Sequence, residues 1–284
     1  MDFYSRIPLL IDPIAFTLFD FPVRWYGLMY LCAFVASFFF LSFFLKKRGG
    51  VLFGREIFTY ATLFDLCLLL FFVAIVGGRL GYVFLYAPGL FLSNPLSIVL
   101  PWTVFGEWTG FFGMSFFGGF VAVVLTGFVF SRSHKISFLA LADFLIFALP
   151  ICVFFGRIGN FLNGELVGRP TTSFFGMFFL QDPLILRHPS VLYEAFFEGV
   201  LLLIFLIILS RFVFRPGVFA VLVVVFYASA RFFVEFFRQP DEHIGFIFHF
   251  FTINQVYSLG LIMCCVFFYF FCLRSYFSLW YTGK

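Results

Sequence analysis

The sequence predicts an all-α polytopic integral membrane protein: seven transmembrane helices, N-terminus outside, C-terminus cytoplasmic, and a small outer-face cap. Three observations carry that prediction. Of 284 residues, 63% are hydrophobic and only 11% charged, with a mean hydropathy of +1.09, whereas a soluble domain keeps about a quarter of its residues charged to stay hydrated. Apolar runs at about 24–45, 57–86, 112–130, 138–161, 191–210, 217–237 and 250–273 approach or exceed the ~20 residues that a helix needs to cross a bilayer. Their unbroken hydrophobicity excludes the alternating strands of a membrane barrel. The basic residues between runs alternate by side, and positive residues stay cytoplasmic. Residues 1–284 are therefore expected to form a single membrane-embedded domain.

Taken in order, the opening "MDFYSRIPLLIDPIAF" carries acids and prolines in place of a basic flank and a short apolar core. It is not read as a cleaved signal peptide. Lys46, Lys47, Arg48 and Arg55 follow the first run, and the second is followed by residues 87–110, "APGLFLSNPLSIVLPWTVFGEWTG", with no Lys or Arg. Arg132 and Lys135 follow the third run, Arg211 and Arg215 the fifth, and Arg274 and Lys284 the seventh. The chain between Arg169 and Arg187 is the expected cap, and "RQPDEHIG" a second outer connection. The 55 phenylalanines read as compositional bias on lipid-facing helices. The cysteines (Cys32, Cys67, Cys152, Cys264, Cys265, Cys272) fall within apolar runs without metal-ligand spacing and read as small hydrophobes.

Eight arginines remain outside this pattern: Arg6, Arg24, Arg79, Arg157, Arg169, Arg187, Arg231 and Arg238. Most lie within runs or toward their outer ends, where the positive-inside rule gives no reason for them. A guanidinium stays charged when partly desolvated and grips carboxylates or phosphates through paired donors. Tyr227, Arg231, Glu235 and Arg238 recur at helical spacing along one face. "GRIGNFLNGELVGRPT" (156–171) sets Arg157, Asn160 or Phe161, and Gly164 or Glu165 at similar spacing if its helix continues that far, with glycines that permit close approach or a break. Intramembrane ionisable residues are functional candidates by default, and the surplus of cations over acids here suggests an anion site. A structural network in which Arg231 and Glu235 neutralise each other is the plainer alternative.

Other polar stretches are weaker signals. In "RHPSVLYEAFFEG", Ser190 is a candidate helix cap with Glu194 in the first turn, and His188 is either a surface residue at a loop end or part of the site. Tyr26 and Tyr30 in "RWYGLMY" suit an interfacial aromatic belt. Arg79, Tyr82 and Tyr86 in "GGRLGYVFLY" share a face and serve equally as core or as headgroup ligands.

In this order and with these separations, "RWYGLMY", "GGRLGYVFLY", "GRIGNFLNGELVGRPT", "HPSVLYE" and "RFFVEFFRQPD" resemble the bacterial prolipoprotein diacylglyceryl transferase family from about residue 12 to 270. The resemblance implies a seven-span enzyme of the bacterial cytoplasmic (inner) membrane whose site opens toward the outer leaflet. Its substrates would be phosphatidylglycerol and preprolipoprotein signal peptides bearing a lipobox cysteine, with glycerol phosphate released. It implies no metal or other cofactor and no nucleic-acid partner. Residue by residue, Arg157 and Arg231 are the implied phosphate-binding and catalytic groups, with Glu235 and Tyr26 also catalytic. Asn160, Asn163, Glu165, Gly168, Arg238 and His188 are implied contacts to phosphatidylglycerol. Glu165 and Glu235 would orient the guanidinium groups.

Two positions depart from the family pattern. "GMSFFGG" has Phe117 where the pattern has a histidine, and phenylalanine cannot accept the thiol proton. His188, Glu165, or stabilisation of the thiolate by Arg157 and Arg231 could replace it, and the last needs no residue that the sequence lacks. Val191 stands where the pattern has glutamine. Two other functions fit these features: an anion transporter or channel, and a catalytically weakened homologue that binds lipid or lipoprotein.

Overall fold

The computed structural model describes residues 3–19, 21–52, 58–86, 88–89, 114–212, 216–240, 246–247 and 250–273. Most of the 87–110 loop, Arg55, Arg215, Arg274, Lys284 and residues 241–245 of the second outer connection lie outside the described residues, as do the side chains of Arg48 and Tyr86. The chain is mostly helical: α1 (Phe3–Leu10), α2 (Trp25–Leu52), α3 (Tyr60–Tyr86), α4 (Phe116–Ser133), α5 (Phe138–Leu145), α6 (Ala148–Leu162), α7 (Ser190–Leu209), α8 (Val218–Val234) and α9 (Ile253–Phe267). Helix α9 runs on as a π turn, Phe268–Leu273.

Among the described residues, five helices are long and apolar enough to cross a membrane, or six if the bent pair α5 and α6 is one span. Seven were expected. The run at 217–237 yields the 17 helical residues of α8, at the short end of the roughly 17–25 that cross a bilayer. The run at 138–161 bends by 40° between Leu145 and Ala148. Pro150 sits in the first turn of α6; its ring crowds the carbonyl four residues back, at Ile146, and it donates no hydrogen bond there.

The chain is mostly helical, as expected, with short strands added to the all-α expectation. Among the described residues there are three two-stranded antiparallel sheets: β1 (Ile14–Leu18) with β2 (Phe21–Arg24), β3 (Met177–Phe179) with β4 (Asp182–Arg187), and β5 (Phe246–Ile247) with β6 (Phe251–Thr252). Strands of two to six residues are too short to show a period-2 pattern against so apolar a background.

Residue contacts group into two compact units, 1–41 with 143–284, and 42–142. In the second unit α3 and α4 cross closely. A Cβ on Gly81 would lie 2.6 Å from the Gly118 Cα, and one on Gly118 would lie 2.7 Å from the Gly81 Cα, so small residues set this contact. Ser115 caps α4, accepting from the Gly118 amide at 3.3 Å. Phe117, in the first turn of α4, is 54% exposed.

In the first unit, Phe147 at the bend stacks on Phe219 of α8, ring centroids 5.0 Å apart, and lies 6.1 Å from Phe40 of α2. Asp143, an isolated acid in an apolar run, receives the amides of Gly217 and Ala220 at 2.7 Å each and so caps α8 from another helix. Phe161, Met177, Phe179 and Val191 form an apolar cluster, with Ile7, Ile11, Leu162, Val167 and Leu192 against it. Val191 is wholly buried there, an environment in which an apolar side chain fits and a glutamine would lack partners.

Candidate active site

Arg157 and Asn160 sit one turn apart near the end of α6. The helix stops at Leu162 rather than continuing through Glu165. Asn163 caps it, Gly164 takes φ +70°, the Gly164 amide bonds the Phe161 carbonyl and the Glu165 amide the Asn160 carbonyl. This is a Schellman ending, for which glycine is suited because a left-handed residue follows the cap. The turn folds Glu165 back onto the helix end. It accepts from Asn160 at 3.3 Å and from Asn163, and Arg157 in turn donates to the Asn160 Oδ1 at 3.5 Å. Glu165 is thus linked to Arg157 through Asn160.

Arg157 itself points to α7. Its Nε lies 2.7 Å from Glu194 Oε2, and its Nη2 lies 4.0 Å from Glu198 Oε2. From α8, Arg231 pairs with Glu194, with Glu198 at 3.5 Å and with Glu235 at 3.2 Å. Arg238 reaches Glu194 at 3.2 Å. Glu235 also accepts from Thr252 and Asn254, both at 3.0 Å. The Thr252 capping box at the start of α9 thus brings that helix to the same cluster.

Two helix features make this possible. Residues Ala195–Leu201 of α7 form a π turn, an irregularity that occurs mostly at functional sites. Within it, a Cβ on Gly199 would lie 2.9 Å from Phe154 Cβ and 3.1 Å from Phe154 Cα. Only a residue without a side chain lets α6 come this near, and the approach brings Arg157 to Glu194.

Glu194 and Glu198 are wholly buried and Glu235 nearly so, whereas the Arg157 and Arg231 side chains keep 21% and 14% of their surface exposed. The carboxylates are thus buried more deeply than the arginine side chains that pair with them. Among the described residues three arginines meet three glutamates here, since Glu194 and Glu198 join the cluster. Their signal in the sequence was two acids four apart inside an apolar run, with no basic residue on their own helix.

Gly168 holds the rim together. Its amide donates to the His188 carbonyl at 3.0 Å, its carbonyl accepts from Arg187 at 3.1 Å, and it bridges Arg238. A Cβ there would lie 2.6 Å from the Phe237 carbonyl oxygen and closer still to that of His188. Its role in the geometry is close backbone approach. Arg169 donates to the Arg238 carbonyl at 2.8 Å, and Arg187 pairs with Asp182 at 2.9 Å. A cleft of 350 Å³ opens beside Arg238, lined by Leu166, Val167, Gln181, Asp182 and Arg187 among others.

His188 and Tyr26 stand apart from the ion pairs. The His188 Nδ1 lies 3.1 Å from the Tyr193 hydroxyl, with its ring edge-on to Phe237. Burial holds its pKa below the ordinary histidine value. Tyr26 shares a 3.0 Å hydrogen bond with Tyr30 and packs its ring on Gly159, where a Cβ would lie 3.0 Å from Tyr26 Cδ2. Ser190 does not cap α7. The cap position is Pro189, and the Ser190 hydroxyl donates to the Leu166 carbonyl at 2.9 Å.

A wall of guanidinium groups braced by buried carboxylates can bind a phosphate and stabilise charge that develops on it. Comparison with known proteins agrees with that chemistry. A family model described as prolipoprotein diacylglyceryl transferase matches residues 13–271. A protein of Chlorobaculum tepidum named phosphatidylglycerol–prolipoprotein diacylglyceryl transferase is 39% identical over 261 residues, 89% of this chain and 87% of its own. Proteins of the same name from Rickettsia bellii (38% over 259 residues, 89% and 92%) and Pseudoalteromonas atlantica (43% over 251 residues, 88% and 82%) are similar too. With the match running through every block that carries the site, from Tyr26 to Asn254, the chain belongs to the prolipoprotein diacylglyceryl transferase family.

Proposed function

We propose that this protein transfers the diacylglyceryl group of phosphatidylglycerol to prolipoproteins, the first step of lipoprotein maturation. It is an enzyme of that family, and the names of its relatives favour transfer over anion transport. The observation that carries the reading at the level of residues is the cluster in which partly exposed Arg157 and Arg231 pair with buried Glu194, Glu198 and Glu235. In the reaction the lipobox cysteine sulfur attacks the glycerol carbon, the C–O bond breaks, and glycerol phosphate leaves with the bonding pair. A phosphodiester with one negative charge becomes a monoester with more, so donors aimed at the phosphate act more strongly in the transition state than on the bound substrate.

Arg157 and Arg231 hold the phosphate, and Asn160, Asn163 and Glu165 keep Arg157 aligned. Glu235 orients Arg231, Arg238 completes the wall, Gly168 shapes its rim, and Tyr26 and His188 contact substrate from the sides. With Phe117 at the position of the family histidine, the exposed guanidinium edges stabilise the cysteine as thiolate. The enzyme works as one domain with seven spans, α8 counted among them, in the bacterial inner membrane. Its N-terminus and site face outward, its C-terminus is cytoplasmic, and the β3–β4 hairpin is the outer cap. The alternation of basic residues along the chain supports this orientation.

The test is purified protein incubated with phosphatidylglycerol and a lipobox peptide, read by mass for the thioether adduct. Wild type forms it, and Arg157→Ala and Arg231→Ala do not, although both insert and fold. Wild-type rates in both variants would overturn the site assignment. Binding without transfer in the wild type would identify a weakened homologue.

A further inference from the structure

Glu198 is a buried carboxyl that the chemistry above does not use. It lies one turn after Glu194 within the π turn of α7, and among the described residues neither of its oxygens has a hydrogen-bond partner. Its nearest cations are Arg231 Nη1 at 3.5 Å and Arg157 Nη2 at 4.0 Å. Both guanidiniums have closer partners, Arg157 in Glu194 at 2.7 Å and Arg231 in Glu194 and Glu235. The two elements packed on this turn are α6 and α8. The charged or titratable groups they turn toward Glu198 are Arg157, Arg231 and Tyr227, with Glu194 on its own helix.

Among the described residues, the formal charges of the ion-paired side chains already cancel. A phosphodiester bound on the guanidinium edges adds one negative charge in a poorly solvated site, and it takes donors from the carboxylates that held them. The longest and least hydrogen-bonded pairs give way first, and those belong to Glu198. A buried carboxylate left without a partner takes up a proton in preference to staying charged. We infer that Glu198 is the charge-compensating residue of the donor site: it binds one proton when the phosphodiester binds, and so keeps the occupied site electrically matched to an anionic lipid headgroup. It is a positioning residue, acting through Arg157 and Arg231. The inference rests on the reading of those arginines as the phosphate site.

The experiment uses the full-length protein in zwitterionic phosphatidylcholine nanodiscs, with phosphatidylglycerol as the probe and its dissociation constant measured from about pH 6 to 9. A phosphodiester does not titrate in this range. Wild-type affinity should fall as pH rises, toward a limiting slope of about tenfold per pH unit for one coupled proton, with proton uptake on binding seen in weakly buffered solution. Glu198→Gln, neutral at every pH and close in shape, should bind with a flat profile and more tightly than wild type at the alkaline end. An unchanged slope in Glu198→Gln, or a flat wild-type profile without proton uptake, overturns the inference. If Glu198→Gln fails to fold, the wild-type profile and uptake still decide. Arg157→Ala separates the two levels. Binding retained in that variant defeats the arginine reading itself, whereas binding lost there, with the slope kept in Glu198→Gln, defeats only the role of Glu198.

Discussion

Replacing Glu194 by glutamine tests the hub of the site most directly. The wild-type carboxylate is wholly buried and meets Arg157 at 2.7 Å, Arg238 at 3.2 Å, and Arg231. Breaking a buried ion pair by removing one partner costs about 3–5 kcal/mol, because the remaining charge is left uncompensated. Glutamine keeps the volume and one acceptor oxygen, and a hydrogen bond from a charged donor returns about 1.5–3 kcal/mol of that. The net loss is therefore about 2 kcal/mol, a sizeable part of a total stability of about 5–15 kcal/mol. The arginines would also lose their common anchor. Misalignment of a donor aimed at developing charge costs about 10²–10³ in kcat, so kcat/KM should fall about a hundredfold. Thermal unfolding in detergent gives the first quantity and thioether formation on a lipobox peptide gives the second. Stability within about 0.5 kcal/mol of wild type, with kcat/KM within about twofold, would refute the claim that Glu194 organises the arginines.

Other expectations follow from particular contacts. Gly168→Ala drives a Cβ into the carbonyls of Phe237 and His188, so it should destabilise by about 1–3 kcal/mol and lower transfer; a melting midpoint equal to wild type would count against the close approach. Asp143→Ala removes the acceptor for two amides at the start of α8 and should cost about 1–2 kcal/mol while leaving transfer intact at low temperature. A variant that loses transfer without losing stability contradicts this. Because burial lowers the His188 pKa, the folded protein favours the neutral ring, and the resulting stability is complete above about pH 6.5 and lost as pH falls through the folded value. Wild type should lose more of its melting temperature on acidification than His188→Gln; equal losses speak against it. Phe117→His should leave the rate unchanged or raise it, and His188→Ala should retain activity. Complete loss in a folded His188→Ala would make His188 the base.

Much of the site was legible because its arginines break a strong rule. Charge in an apolar run is rare enough that Arg157, Arg231 and Arg238 stand out one by one, and the structure brings all three to one carboxylate. Glu194 looked like a first-turn acid of a helix capped by Ser190, whereas the cap is Pro189 and no acid lies in the first turn. Its partners lie 37 and 44 residues away along the chain for Arg231 and Arg238, and no local pattern encodes those pairings. Gly164 or Glu165 would share a helical face with Arg157 if the helix continued past Leu162. A Schellman ending at Gly164 turns the chain back instead. The helices were legible from continuous apolar length. The Pro150 bend and the short strands were not, because one proline and a few residues of extended chain barely alter so hydrophobic a pattern.

The sequence by itself determined the membrane class, the family, and the residue types that an anionic lipid donor requires. Those properties reside in composition and in ordered local motifs. Tertiary structure alone decided that, among the described residues, three arginines meet three glutamates and that the carboxylates are the more deeply buried partners. It also decided that Gly168 and Gly199 serve as points of close approach. Each of these depends on side chains from α6, α7 and α8 meeting at ångström distances, and such meetings are set by packing between segments far apart in the chain.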